Sequence, residues 1–251
     1  MTSQHAVHRV VVARSREGNE ELQAMLAASG VEAAGVETVR FEAPEDWSAV
    51  DKALAGVGDF DWVVLTSPRA VAVLGERLRK SGGRGALPKF AAVGPRTAAG
   101  LRDFGLEASF VPDRFLTAQL GETLPLGRGN RVLLFRADIG DKALTKTLED
   151  RGFEVSEVAA YRTLPEGGEL DPAAVEGADL VAFASPSEVR GFESRLGPDR
   201  MGSVTGRATA VCIGPVTASA ARSAGFGSVV FPGRHTIDAL AAKIVELATH
   251  V

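Results

Sequence analysis

Short apolar runs without polar alternation recur along the chain: Val10-Val11-Val12, Val63-Val64-Leu65, Val132-Leu133-Leu134-Phe135 and Val181-Ala182-Phe183. A strand with one face in water alternates apolar and polar residues, whereas a run that is apolar throughout fits a parallel strand covered on both faces. Stretches with apolar residues three or four apart follow, such as Leu22, Met25 and Leu26, or Val71, Leu74 and Leu78, and predict amphipathic helices. Gly30, Gly105, Gly152 and Gly225 fall where such helices need a left-handed stop. Strand and helix in alternation predict doubly wound parallel sheets with right-handed crossovers.

The pattern repeats. Residues 8–40 match 130–162 at a constant offset of 122, which pairs Val10 with Val132, Arg14 with Arg136, Leu22 with Leu144, Gly30 with Gly152 and Arg40 with Arg162. Residues 62–78 match 180–196, and 92–98 match 212–218, with Gly105 falling on Gly225. Two halves of about 120 residues share one plan, and the repeat by itself puts a cut near residue 125.

In such sheets ligands bind beyond the carboxyl ends of the strands. Four loops there carry matching signals. Thr66-Ser67-Pro68 and Ala184-Ser185-Pro186 put Ser at a helix cap and Pro at the first helical position. Gly94-Pro95-Arg96-Thr97 and Gly214-Pro215-Val216-Thr217 put Gly where the backbone approaches something closely, with a helix starting behind it. Helix N-termini offer N–H donors and a partial positive end that suit carboxylate or phosphate, but the same residues serve as ordinary caps. Arg14 and Arg136 end the first strand of each half, as anion ligands or as plain surface charges, and Arg69, Arg96, Arg114 and Arg234 read as solvated. Tyr161, the only tyrosine, follows the strand Val155–Ala160, where a phenol either packs at the rim or donates a proton.

Composition narrows the classes. A net charge of −4 argues against nucleic acid or an anionic membrane as a partner. The single cysteine, Cys212, sits in an apolar run and reads as core packing, with no disulfide or Cys-cluster metal site. His5, His8, His235 and His250 have no ligand spacing, and dinucleotide, P-loop and nucleophile-elbow motifs are missing. No signal pattern or membrane-length apolar run appears, so a soluble cytoplasmic protein is expected.

Five motifs in order carry a family resemblance: Val64-Leu65-Thr66-Ser67-Pro68-Arg69-Ala70-Val71, Ala92-Val93-Gly94-Pro95-Arg96-Thr97-Ala98, Val158-Ala159-Ala160-Tyr161-Arg162-Thr163, Phe183-Ala184-Ser185-Pro186-Ser187-Glu188-Val189 and Cys212-Ile213-Gly214-Pro215-Val216-Thr217-Ala218. From about Arg9 to Leu247 the chain resembles the uroporphyrinogen-III synthases. The resemblance implies an α/β fold of two similar doubly wound parallel-sheet domains, joined by a two-stranded connector with a cleft between them. It puts residues 1–39 with 166–251 in one domain, 43–160 in the other, and the connectors at 39–42 and 161–165. It implies a cofactor-free enzyme that cyclises the linear tetrapyrrole hydroxymethylbilane, with possible transient contact to the preceding deaminase; with no sustained heptad or exposed apolar stripe a monomer is expected, and no metal. Tyr161 matches the position of the general acid. Arg14, Thr66, Ser67, Gly94, Thr97, Ser185, Ser187, Gly214, Thr217, Ala218 and Thr236 match substrate-binding positions, and Arg136 joins them from its place at the strand end. At Ala13-Arg14-Ser15 the chain departs from the family's commoner Thr-Arg-Pro, which loses a capping hydroxyl at Ala13. The rival readings are a two-domain small-anion-binding module without catalysis and an α/β enzyme that binds a nucleotide or phosphate.

Overall fold

A computed structural model describes residues 9–80, 86–127, 129–140, 142–166, 170 and 172–249. His5, His8 and His250 lie outside the described residues. In chain order the elements are β1 (Val10–Arg14), α1 (Arg16–Ala27), β2 (Ala33–Glu37), β3 (Val39–Glu42), α2 (Ser48–Ala55), β4 (Trp62–Leu65), α3 (Pro68–Lys80), β5 (Lys89–Ala92), α4 (Pro95–Arg102), β6 (Ala108–Phe110) and α5 (Thr117–Thr123). They continue with β7 (Arg131–Ala137), α6 (Lys142–Asp150), β8 (Glu154–Pro165), α7 (Pro172–Val175), β9 (Leu180–Phe183), α8 (Pro186–Thr205), β10 (Thr209–Cys212), α9 (Pro215–Ser223), β11 (Ser228–Val230) and α10 (Ile237–Thr249). None of these helices is long and apolar enough to cross a membrane.

The chain divides into two compact units, Met1–Phe41 with Leu164–Val251, and Glu42–Thr163. The first unit holds a sheet of order β11-β10-β9-β1-β2, and the second holds strands in the order β8-β7-β4-β5-β6. Matched through the repeat, β6-β5-β4-β7-β8 is the same order as β11-β10-β9-β1-β2, so the duplication read in sequence is a duplication of topology. β1 pairs in parallel with β2 and β9, and β10 with β9 and β11. β4 pairs in parallel with β5 and β7, β5 with β6, and β7 with β8. Each sheet is wound outward in two directions from one place, between β1 and β9 in the first unit and between β7 and β4 in the second.

The runs without alternation are strands buried on both faces, as expected. In the first unit Val11, Ala13, Val181, Phe183, Ala210 and Cys212 pack to one side with Val189, Phe192 and Ala218 of α8 and α9. Val10, Val12, Leu180, Ala182 and Val211 pack to the other with Leu22, Leu26, Leu240 and Ile244 of α1 and α10. In the second unit Trp62, Val64, Val132 and Leu134 meet Leu120, Leu144 and Leu148 of α5 and α6. Each such side chain contributes about 1.5–3 kcal/mol on burial. Gly30, Gly105, Gly152 and Gly225 all have positive φ, between 73° and 95°, just beyond their helices.

One contact is tighter than the pattern predicts. A Cβ on Gly191 in α8 would lie 2.0 Å from the carbonyl oxygen of Thr38, a backbone atom that cannot swing aside. Gly191→Ala is expected to destabilise the first unit by about 1–3 kcal/mol, read as a lower denaturation midpoint. An unchanged midpoint would show that α8 does not need this approach.

Candidate active site

Parallel pairing brings the expected loops to the carboxyl edge of each sheet. In the second unit Thr66 and Ser67 follow β4, Gly94 follows β5, and Asp138 follows β7. In the first unit Ser15 follows β1, Ser185 follows β9, Gly214 follows β10, and Thr236 stands between β11 and α10. Each unit therefore brings its own expected residues to one rim.

The helix starts fall into two kinds. Ser185 caps α8 in a reciprocal box: its hydroxyl accepts from the Glu188 N–H at 3.3 Å, and the Glu188 carboxylate accepts from the N–H groups of Ala184 and Ser185. Ser187 Oγ lies 2.9 Å from Ser185 Oγ. Ser67 Oγ accepts from the Ala70 N–H at 3.1 Å, and Thr236 Oγ1 from the Ala239 N–H at 3.3 Å. By contrast α4 and α9 begin at Gly94 and Gly214, which supply no side-chain acceptor to the first-turn N–H groups. Thr97, Thr217 and Ala218 are buried in those first turns. Both glycines are extended, so freedom of φ is not their purpose; at Gly214 it is space. A Cβ would stand 3.4 Å from Phe115 at Gly94 and 3.1 Å from the His235 ring at Gly214.

Arg14 and Arg136, read as anion ligands or as surface charges, both meet partners within their own units. Arg14 donates to Glu188 at 3.3 Å and to the Gly18 carbonyl at 2.9 Å. Arg136 is 2% exposed and donates to Glu157 at 2.9 Å and to Thr145 at 3.1 Å. Burial works against the Glu157 charge, but Arg136, Thr145 and Lys142 together hold its carboxyl below the usual range. Burial pushes the Glu188 carboxyl up, with Arg14 and the Ala184 and Ser185 amides pulling the other way. The capping hydroxyl missing at Ala13 is supplied by Ser15, whose side chain accepts from the Gly18 N–H.

Tyr161 does not end its strand: β8 runs on to Pro165. The phenol is 8% exposed, and its Oη lies 3.1 Å from Ser67 Oγ. Burial raises its pKa, the Ser67 hydrogen bond and the Arg69 charge lower it, and Asp138 raises it again; the net direction is up. The group stays neutral at physiological pH and has a proton to give. Cys212 is fully buried and its thiol is pushed up to about 12 by burial, which makes it core rather than nucleophile.

Two participants escaped the sequence reading of these loops. Glu188 was visible as the fourth residue of Ser185-Pro186-Ser187-Glu188, the spacing of a capping box. Asp138 had no comparable signal, since its role depends on a strand more than twenty residues further along.

Duplicated doubly wound units with glycine-started helices at the strand ends make this a two-unit α/β protein. A family model for uroporphyrinogen-III synthase HemD matches residues 2–242, and the chain belongs to that family. The uroporphyrinogen-III synthase of Synechococcus elongatus is 29% identical, over 95% of each chain. The chloroplastic uroporphyrinogen-III synthase of Oryza sativa is 30% identical, over 94% of this chain and 80% of its own. The fold is that of a mutant uroporphyrinogen III synthase from Thermus thermophilus, with TM-score 0.68 and 22% identity over 96% and 98% of the two chains. It is also that of the Helicobacter pylori uroporphyrinogen-III synthetase, with TM-score 0.60 and 17% identity over 96% and 99%.

A lone tyrosine makes the proton on Tyr161 directly measurable. Near-ultraviolet titration of the folded protein is expected to show tyrosinate forming above the ordinary phenol range near pH ~10, returning to it in denaturant. The folded state holds this proton more tightly than the unfolded chain, so the linked stability is intact below about pH 10 and falls as pH rises through the folded value. A folded-state value at or below that of free tyrosine would contradict the buried, neutral phenol.

Proposed function

We propose that this protein is a uroporphyrinogen-III synthase, a lyase that cyclises hydroxymethylbilane to uroporphyrinogen III with loss of water and inversion of ring D. The observation that carries the reading is the neutral, buried phenol of Tyr161 hydrogen-bonded to Ser67 at the carboxyl edge of the second sheet. Helices with uncapped first turns stand one strand further along each sheet.

The substrate bears an acetate and a propionate on each of its four pyrroles. Charges so dispersed need many modest donors rather than one strong cation. The first-turn amides behind Gly94 and Gly214, with Thr97, Thr217 and Ala218, are suited to that task, and the hydroxyls of Thr66, Ser185, Ser187 and Thr236 extend it along each rim. Amide dipoles of this kind are compatible with a chain of net charge −4.

In the proposed reaction Tyr161 gives its proton to the hydroxyl on the ring-A methylene as the C–O bond breaks and water leaves. The azafulvene so formed is attacked by the substituted carbon of ring D. The spiro intermediate fragments and recloses with ring D turned over. The proton lost as the last pyrrole regains aromaticity restores the phenol, so the step balances with no cofactor. Hydroxymethylbilane closes unaided to the uninverted isomer, so the enzyme's contribution is chiefly orientation. We take the protein to act in the cytoplasm as a monomer, in transient contact with the deaminase that makes its substrate. No particular observation favours an anion-binding module.

Freshly made hydroxymethylbilane, incubated with the protein and resolved into type I and type III isomers, tests the reading. Type III is expected to dominate, and product of type I alone would reject synthase activity. Tyr161→Phe is expected to lower kcat by roughly 10²–10⁴-fold while the protein stays folded. Full activity in that variant would remove the phenol from the chemistry.

A further inference from the structure

The β7–β8 ladder slips one residue where it reaches Tyr161. Arg136 faces Ala159, but the next residue, Ala137, faces Tyr161, which leaves Ala160 unmatched. In the first unit the corresponding ladder runs without a slip from Val10 opposite Ala33 to Arg14 opposite Glu37. A bulge breaks the two-residue alternation and re-aims the side chain after it. Here the consecutive residues Ala160 and Tyr161 are both buried, at 0% and 8% exposure, which an unbroken strand with one wet face does not produce.

A slipped ladder leaves backbone groups to be met in another way, and one residue meets them on both sides of the phenol. The Asp138 N–H donates to the Tyr161 carbonyl at 3.0 Å, and Asp138 Oδ1 accepts from the Thr163 N–H at 2.9 Å. The same oxygen accepts from the Ile139 N–H at 2.9 Å, which ties the carboxylate to its own loop. That loop is seated on Arg136: a Cβ at Gly140 would lie 2.5 Å from Arg136 Nε, and the guanidinium is itself pinned by Glu157 and Thr145. Arg136 thus underlies the turn that carries Asp138.

We propose that Asp138 is a positioning residue: it clamps the bulged segment Tyr161–Thr163 from both ends and so holds the phenol against Ser67. The assignment rests on Tyr161 being the proton donor proposed above. Besides the backbone clamp, Ser67 and Arg69 from the start of α3 favour ionisation of the phenol, and the Asp138 carboxylate opposes it.

Two substitutions separate clamp from charge. Asp138→Asn keeps an oxygen for the Thr163 N–H and removes the charge, whereas Asp138→Ala removes both. Asp138→Ala is expected to lower kcat by ~10–100-fold with KM little changed, as loss of orientation does. It should also speed amide exchange at Thr163 ahead of the rest of the second unit. Asp138→Asn should recover most of kcat and protect Thr163, while its tyrosinate appears at lower pH than in the parent protein. Wild-type kcat and Thr163 protection in Asp138→Ala would overturn the proposal, as would equal losses in both variants. Should Asp138→Ala fail to fold, the Asn variant still decides: Thr163 exchange as fast as in the unfolded chain refutes the clamp. If Tyr161→Phe proves fully active, the chemical role of the phenol falls, yet Thr163 exchange and the tyrosinate titration continue to report the clamp independently.

Discussion

Parallel pairing is the constraint on which the rest of this structure depends. When every neighbouring strand runs the same way, each strand-to-helix loop must emerge at the same edge, and each return must be made by a helix across a face. The apolar runs are buried on both faces for that reason, and residues as far apart in sequence as Ser67, Asp138 and Tyr161 come together for the same reason. Winding outward in two directions then opens a gap beyond the strand ends where the direction reverses, the place such sheets use for ligands. The two units share this geometry strand for strand.

What they put in it differs. In the first unit the reversal between β1 and β9 is filled from within: Arg14 from one strand end meets Glu188 from the helix behind the other. Both side chains are largely out of water, and such a pair contributes little net stability because desolvation offsets most of the attraction. What it gives is a fixed loop, since the same carboxylate also closes the start of α8. In the second unit the charge pair is displaced sideways, to Arg136 with Glu157 and Thr145, and the reversal between β7 and β4 is left to Ser67, Asp138 and the phenol. One repeated plan thus holds a self-contained ion pair in one copy and a buried neutral phenol in the other.

This division explains how much of the protein was legible in the chain. Buried strands, left-handed glycines and the duplication are properties of short windows, and Val10–Val12, Gly30 or Gly225 carry them without reference to anything distant. Hydroxyl caps were equally readable at Ser67 and Ser185, because Ser-Pro at a helix start has a local cause. The internal partners of Arg14 and Arg136 were not legible, because Glu188 and Glu157 are 174 and 21 residues away. The end of β8 was misread because Val158-Ala159-Ala160-Tyr161 gives no sign of a bulge. Small residues on either side of a slip look like any strand, and only the opposing register exposes it.

The contrast at one repeated position shows why the phenol belongs to the second unit. Glu188 in the first unit corresponds to Ala70 in the second, each three residues beyond a capping serine. Glu188 draws its Ser185 into a closed box whose hydroxyl accepts from the Glu188 amide and whose backbone N–H is bound by the carboxylate. Ala70 has no side-chain acceptor, so Ser67 accepts the Ala70 amide with one lone pair and keeps its remaining capacity for Tyr161. By the same pattern a carboxylate at 70 would accept from the Ser67 backbone N–H and set a second negative charge beside the one on Asp138. That would push the phenol still further from ionisation and make its proton harder to give. With alanine there, the charges of Arg69 and Asp138, of opposite sign, bear on the phenol. The phenol is held neutral chiefly by burial, with the Asp138 charge the smaller contribution in the same direction.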